Sequence, residues 1–396
     1  MLSFLLHAKK ISLLFLILSI LAVVQSGCWD RVEIEDLGIV LGTGLDKGED
    51  NQIRLIVQLA VPTEMGGGPQ QVGRGKKPTF TVIGTGETVY DALVDVQRQF
   101  SDRIFFGHNR VLIIDEELAK EGIAEYIDFF VQHPQPRLRA LVIVSKNAEE
   151  ALKTETSKDL SSSQALEEIV QLLKSGIRVT LKDVFQMLRQ EGESVVLPWV
   201  QASDNEGEQE NVQVKGAAIF DGDQLIGTID FELKKGLLWL RDEMDLQSIS
   251  VNPEEADGYI TFHLIRSKTN LLPSIEGGNW KITVEIEQEN EIVENQTTLD
   301  TSTEKVQREL EKDLNKTVEQ QIRKTLEKVQ KEMKTDAFGF AEAFERKYPK
   351  RFAQEKDHWD EIYPEVEVEI NVTSRIRRIG MTTNQVGKLP KEVKEE

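Results

Sequence analysis

The chain contains one cysteine, and its neighbours suit thiol chemistry. Cys28 follows the small residues Ser26 and Gly27. Before them lies a 14-residue apolar run, Ile11 to Val24, broken only by Ser12 and Ser19. His7, Lys9 and Lys10 form a short basic stretch ahead of that run. A helix needs about 20 residues to cross about 30 Å of hydrocarbon, so the run is short for a spanning helix and fits the apolar core of a secretory signal. A cysteine at the end of such a segment reads as a lipobox. The thiol would take a diacylglyceryl group, residues 1–27 would be removed by cleavage between Gly27 and Cys28, and the freed amine would be open to a further acyl chain. Two other readings stand beside this one: a plain membrane anchor, and a signal cut before an ordinary cysteine. The run is short for the first, and the second needs the sole cysteine to fall at this position by accident. Gln25 departs from the pattern, because an aliphatic residue is usual three places before the cysteine; Val24 lies one step earlier.

One cysteine excludes an intramolecular disulfide and a Cys-rich zinc site. The 396 residues hold 48 Lys+Arg against 68 Asp+Glu, a formal charge of −20. Removing residues 1–27 takes away two lysines and no acids, so the mature charge is −22. That balance argues against nucleic acid, which needs clustered cations, and against simple adsorption to an anionic membrane face. Acyl chains would hold such a chain where charge cannot, each buried CH2 contributing about 0.8 kcal/mol.

Other partial constellations fail on inspection. The Gly-rich segment Gly68–Lys77 lacks the G-x4-G-K-[ST] order of a phosphate loop. Asp221, Asp223 and Glu232 hold positions 1, 3 and 12 of a calcium loop, but Leu225 and Ile226 replace a ligand and the required glycine. Gly192-Glu193-Ser194 begins a nucleophile elbow that Val196 does not close. Ser302-x-x-Lys305 and Ser203-Asp204-Asn205 occur in the wrong order for a penicillin-binding enzyme. His108, His133, His263 and His358 form no i,i+4 pair. No metal site and no enzyme are therefore expected.

The elements that would position these residues follow from periodicity. Strands are expected at Ile39–Leu41, Ile53–Val61, Phe80–Ile83, Arg110–Ile114 and Leu138–Val144. Helical spacing marks Glu87–Phe100, with apolar residues at 89, 93, 96 and 100, and further helices around 116–120, 123–132 and 163–174. Alternating strands and helices predict an N-terminal α/β domain over 28–202, sitting close to the membrane because no long tether follows Cys28. Ser203–Asn211 has no apolar residue and marks a boundary. A middle, mainly β domain is expected over 203–270, with a hairpin turn at Asp221-Gly222 and a packed Leu237-Leu238-Trp239 group. A C-terminal α+β domain would fill 271–386, and 387–396 is a charged tail. Trp280, Ile282, Val284 and Ile286 alternate with Lys281, Thr283 and Glu285, and 366–372 alternates likewise.

Thr301–Lys334 reads as one long helix with a capping box at Thr301 and Glu304. Its apolar residues recur mostly every fourth position, so the stripe turns about 40° at each step. That favours packing on a curved sheet over a coiled coil, which wants a 3.5-residue repeat. Arg375, Arg377 and Arg378, with Arg74, Lys76 and Lys77 in the loop 65–78, stand out against the acidic background. They are the candidate partner surface; solvated strand and loop edges are the competing reading.

A set of ordered segments now carries a resemblance. Gly27-Cys28-Trp29-Asp30 is followed by Glu33-Ile34 and Leu37, and then by Phe105-Phe106-Gly107-His108 leading into Val111–Ile114. Further along come Gly236-Leu237-Leu238-Trp239-Leu240, Ile265-Arg266-Ser267-Lys268, Tyr348-Pro349, Trp359-Asp360-Glu361, Tyr363-Pro364 and Arg375–Gly380. Nearly the whole mature chain resembles the Ger(x)C lipoproteins, the C subunits of GerA-type spore germinant receptors. The resemblance implies three mixed α/β domains and a lipid anchor on the outer face of the spore inner membrane. It implies partners too, an integral-membrane A subunit and a transporter-like B subunit, and a role in germination triggered by nutrients such as amino acids or sugars. Only Cys28 is carried over as a functional residue; no ligand site is, and the only attached group expected is the acyl modification of Cys28. The alternative is a solute-binding lipoprotein that itself presents a small nutrient. Such proteins close two similar lobes on a cleft, whereas the two halves here look unlike one another.

Overall fold

The computed structural model describes residues 12–16, 36–60, 79–154, 161–172, 176–189, 194–202, 212–245 and 247–378. Two sheets organise them. In the first, β1 (Leu37–Lys47) pairs antiparallel with β2 (Ile53–Ala60), and β2 with β3 (Thr79–Gly86). Helix α1 (Val89–Gln99), capped by the Thr88 side chain, leads to the short β4 (Arg103–Phe105) beside the start of β1. Next come β5 (Val111–Asp115), α2 (Glu116–Glu121), α3 (Ala124–Gln132) and β6 (Leu141–Ser145), then α4 (Ala148–Lys153), α5 (Ser162–Leu172), α6 (Leu181–Met187) and β7 (Val196–Ala202). β1, β5, β6 and β7 run parallel, as strands linked through helices must. Their residues are apolar on both faces because helices cover both. The hairpin β8 (Val212–Asp221) and β9 (Gln224–Asp230) completes the order β3-β2-β1-β5-β6-β7-β8-β9.

β1 is longer than its apolar core Ile39–Leu41 suggested. It continues through Gly42 and Gly44 because α4 and α5 lie against it. A Cβ at Gly42 would come within 2.1 Å of Ser163 Oγ, so the helix covers bare backbone there.

Helix α7 (Phe231–Leu240) follows β9 directly, its start capped by the Asp230 side chain. The second sheet has the order β10 (Ser248–Val251), β11 (Ile260–Glu276), β12 (Asn279–Asn295), β13 (Glu367–Arg378). β11 and β12 are 17-residue antiparallel partners joined at Gly277-Gly278, where both φ angles are positive. Between β12 and β13 come α8 (Glu304–Leu326), α9 (Phe340–Lys347), α10 (Pro349–Glu355) and α11 (Trp359–Ile362). This helical crossover makes β13 parallel to β12. The expected alternation holds: Trp280, Ile282, Val284 and Ile286 are buried, and the odd positions face out.

The long helix packs within its own chain. Val306, Leu310, Leu314, Val318 and Ile322 are all buried, and the stripe turns from β10 and β13 toward α7. Its last part, Glu327–Met333, widens to π-type turns and ends at Lys334 with φ 59°. The capping box is corrected. The helix begins at Glu304 behind Thr303, whose side chain makes no cap bond. Thr301 is buried in a preceding turn where Asp300 accepts from the Ser302 N–H at 3.0 Å. The short acidic side chain supplies the turn, so helix formation starts three residues later.

Two expected boundaries do not coincide with the sheets. Residues 212–230 were assigned to a middle domain, yet β8 and β9 extend the first sheet, because β7 offers a free edge to pair with. The boundary at 270 falls inside the unbroken β11, whose register with β12 runs from Ile260 to Glu276. One apolar core runs continuously from Val40 through Leu237–Leu240 to Ile370, and a smaller one lies on the other face of the first sheet under α4 and α5. The linker 203–211, the loop 65–78, the tail 387–396 and residues 17–35 lie outside the described residues.

Candidate functional site

Gly27 and Cys28 lie outside the described residues. The first strand starts at Leu37, nine positions beyond Cys28, a span of at most about 30 Å. No described helix is long and apolar enough to cross a membrane.

The candidate arginines lie on β13, the edge of the second sheet. Alternation turns Arg375 and Arg377 to the open face, opposite the side packed on α8. β12 presents Glu287, Glu289 and Glu291 on that same face. Arg377 meets Glu289 at 2.6 Å, and Arg266 of β11 grips the same carboxylate through two bonds of 2.8 and 2.7 Å. Arg266 first, and Arg377 next, hold the Glu289 carboxyl down to about 2. Arg378 lies 3.6 Å from Glu291. Two of the three arginines are thus matched by their own sheet. Arg375 is in register with Glu289 but makes no ion pair among the described residues. It borders a groove of about 400 Å³ with Arg266, Lys268 and Arg377. Arg74, Lys76 and Lys77 lie outside the described residues.

A second cavity, about 570 Å³, lies where the two sheets meet. The β8–β9 turn supplies Asp221 and the segment before β7 supplies Ser194; the loop before α9 supplies Asp336, and the helical segments after it supply Phe352, Trp359 and Tyr363. Asp336 is buried and accepts from the N–H groups of Phe338, Gly339, Phe340 and Ala341 at 3.3, 3.1, 3.1 and 2.6 Å, and from Trp359 Nε1 at 3.2 Å. Burial pushes its carboxyl up, and the backbone donors pull against that shift. The Tyr363 hydroxyl beside it is buried with no hydrogen-bond partner among the described residues, and burial pushes it well up. Trp359 stacks edge-on against Phe352 at 5.3 Å and Phe344 at 5.7 Å. The segments Trp359-Asp360-Glu361 and Tyr363-Pro364 therefore build this wall. Sequence reasoning did not single out Asp336; the readable signal was an acid three residues before Gly339 and an apolar run.

Two further acids end the parallel strands. Asp46 closes β1 and accepts from the Ala148 and Glu149 N–H groups at 2.8 and 3.1 Å. Asp115 closes β5 and caps α2 through the Glu117 and Leu118 N–H groups at 2.9 and 3.1 Å. Burial, with Asp46 nearby, pushes Asp115 up to about 6. Both carboxylates are engaged in joining strand to helix.

The near-motifs resolve into structural roles. Gly222 takes φ 55° in the β8–β9 turn after Asp221; Asp223 accepts from the Ala124 N–H at 3.2 Å; Glu232 pairs with Lys235. Among the described residues no three His, Cys, Asp or Glu side chains are grouped to hold a metal. His108 and His133 pack on Phe105 and Phe106, away from Ser194.

The chain matches two family models. One, described as the spore germination protein N-terminal domain, covers residues 30–202. The other, described as spore germination B3/GerAC like, C-terminal, covers residues 215–380. The gap between them encloses the acidic stretch 203–211. Spore germination protein KC of Bacillus subtilis (strain 168) is 27% identical over 94% of this chain and 97% of its own. The putative spore germination protein YfkR of the same strain is 28% identical over 89% and 92%. The crystal structure of the GerBC protein superposes with a TM-score of 0.59, covering 85% of this chain and 97% of that one at 19% identity. The fold and the ordered segments thus define a spore germination protein of mixed α+β architecture, its sheets flanked by helices. The chain belongs to the Ger(x)C family.

Proposed function

We propose that this chain is the lipid-anchored C subunit of a nutrient germinant receptor. The observation that carries the reading is the unbroken order of family segments, matched from residue 30 to residue 380, directly behind a lipobox-like Cys28. On this reading Cys28 is the first mature residue and its thioether-linked diacylglycerol holds the protein at the outer face of the spore inner membrane. The folded part works by assembly with an integral-membrane A subunit and a transporter-like B subunit, and it catalyses nothing. Arg375, which makes no ion pair among the described residues, is the member of the arginine cluster best placed to meet an acidic group of such a subunit; Arg377 and Arg378 keep their own carboxylates. Mass spectrometry of the native N-terminus tests the anchor: a diacylglyceryl-modified Cys28 is expected, and an unmodified or uncleaved one refutes it. Co-purification of A and B subunits from spore inner membrane tests the assembly.

A second reading, a lipoprotein that itself presents a small nutrient, is favoured by the cavity between the sheets and the unpartnered Tyr363 hydroxyl in its wall. Calorimetry of the mature chain with amino acids and sugars decides it; binding abolished by Trp359→Ala would support it.

A further inference from the structure

The net charge of the mature chain hides a polarity along the first sheet. The C-terminal ends of its parallel strands carry Asp46, Asp115, Glu116, Glu117, Glu149 and Glu150, and Lys47, Arg54, Lys120 and Lys153 there are each paired to a carboxylate. The opposite ends are different. Arg103 sits in register with Leu37, the start of β1. The Arg110 N–H donates to Leu41 O at 2.9 Å, and the Leu141 N–H donates to Arg110 O at 2.9 Å. The turn Arg137-Leu138-Arg139 enters β6 here. Lys182 lies against it, through Lys182 N–H to Leu138 O at 2.9 Å and Leu181 N–H to Ala140 O at 2.8 Å; Arg178 sits further along β6, since Thr180 pairs with Leu141 and the Val142 N–H donates to Val179 O at 3.0 Å.

At this end Arg103, Arg137, Arg139 and Lys182 are all exposed, and none makes an ion pair among the described residues. Arg110 alone is paired, to Glu167. Among the described residues Asp36 and Asp102 flank the start of β1, and Asp183 is occupied in capping α6; the sequence ahead of Asp36 adds Asp30, Glu33 and Glu35 and one cation, Arg31. Two apolar side chains share this end: Leu138 is 42% exposed between its two arginines, and Phe80, 39% exposed, stacks on Phe100 at 5.7 Å. Exposed cations interleaved with exposed apolar groups suit a headgroup layer, where the apolar part enters and the cation stays among phosphates. The first strand, nine positions beyond Cys28, starts at this same end.

We propose that this end of the first sheet lies on the bilayer, with these four cations facing anionic phospholipid headgroups and Leu138 and Phe80 seated among them. The proposal rests on the Cys28 anchor, which would hold the face within about 30 Å of the lipid and spare it the search. It amends the expectation from net charge: the acidic end would point away, so a chain of −22 can still rest on an anionic surface through one face. Each cation near such a surface is worth roughly a fivefold preference.

The sole cysteine supplies the test. The mature chain is coupled through Cys28 to maleimide-lipid vesicles of pure phosphatidylcholine, or of phosphatidylcholine and phosphatidylglycerol in equal parts. Arginines are then footprinted with phenylglyoxal and read by mass spectrometry. Arg137 and Arg139 should be modified at least about fivefold more slowly on the anionic vesicles. Arg375, on the other sheet, should be unchanged, and about 0.5 M NaCl should erase the difference. Arg137→Glu with Arg139→Glu should remove the protection of Arg103; both sites are exposed, so the fold should tolerate the change. Equal rates on both vesicle types, or slowing at Arg375 as large as at Arg137, overturn the proposal. Coupling is chemical in this assay, so an unmodified native Cys28 would refute the anchor without altering the footprint. A lipidated native Cys28 with equal labelling would refute this face alone.

Discussion

Gly236 sits at the joint between the two sheets, and Gly236→Ala probes it with a sign that separates two explanations. In an exposed helix interior the change would stabilise by about 1 kcal/mol through backbone propensity. Here α7 crosses α8, and a Cβ at 236 would lie 2.1 Å from Thr325 Oγ1, 2.7 Å from Thr325 Cβ and 2.9 Å from Gln321 O. Two of those atoms cannot rotate away. To make room, the helices must separate, or Thr325 must turn and surrender its 2.8 Å bond to Leu233 O, worth about 1 kcal/mol. Overpacking of this kind costs about 1–3 kcal/mol, so the net expectation is a loss of up to about 2 kcal/mol after the propensity gain. Urea denaturation of the mature chain reads it as a lower midpoint with an unchanged slope. Thr325→Gly in the Gly236→Ala background should recover at least about 1 kcal/mol as coupling in a double-mutant cycle. A more stable Gly236→Ala protein, or additive single and double variants, would refute the claim that helix contact demands this glycine.

Other expectations follow the same reasoning. Asp115 is pushed up to about 6 against about 3.9 in an unfolded chain, so the fold favours its neutral form. Its contribution is full below pH 4 and is lost as pH rises through 6, by up to about 3 kcal/mol. Asp115→Asn keeps a capping oxygen and should flatten stability between pH 4 and 6.5; an unchanged slope in pH-dependent denaturation would exclude Asp115 as its source. Tyr363→Phe removes a buried hydroxyl that has no partner and should raise stability by up to about 1–2 kcal/mol, whereas a loss would show that the hydroxyl is bonded in solution. Arg377→Ala should change stability by less than about 0.5 kcal/mol, because the pair is exposed and Arg266 keeps Glu289; a larger thermal shift would contradict that.

Local chemistry was legible without coordinates wherever a period or a short pattern specified it. The odd–even alternation of 280–286 announced which face of β12 is buried, because successive side chains of a strand point to opposite sides. The four-residue steps of 306–322 announced a helix that wraps a curved neighbour, because the stripe must drift around the axis. Asp221-Gly222 announced the hairpin turn, because glycine takes the positive φ that the turn needs. The capping box at Thr301 misled because two competing acceptors, Asp300 and Thr303, lie within three residues and the choice among them depends on how the turn packs.

Pairing and proximity were decided only in three dimensions. Nothing local told 212–230 to extend the first sheet, since any free edge accepts any strand of suitable length. β13 runs parallel to β12 because a helical crossover returns the chain to the same end, a property of the connection. Arg377 and Arg378 looked available for a partner until the pleat set them against Glu289 and Glu291. Arg103, Arg137, Arg139 and Lys182 are scattered over 80 positions in sequence and converge because β4 and β6 start at one end of the sheet and the segment before α6 runs back along β6 to that end. Sequence determined the chemistry carried by each residue and the face it shows, through interactions over three or four positions; tertiary structure decided which charges meet, because their spacing is set by contacts between segments far apart along the chain.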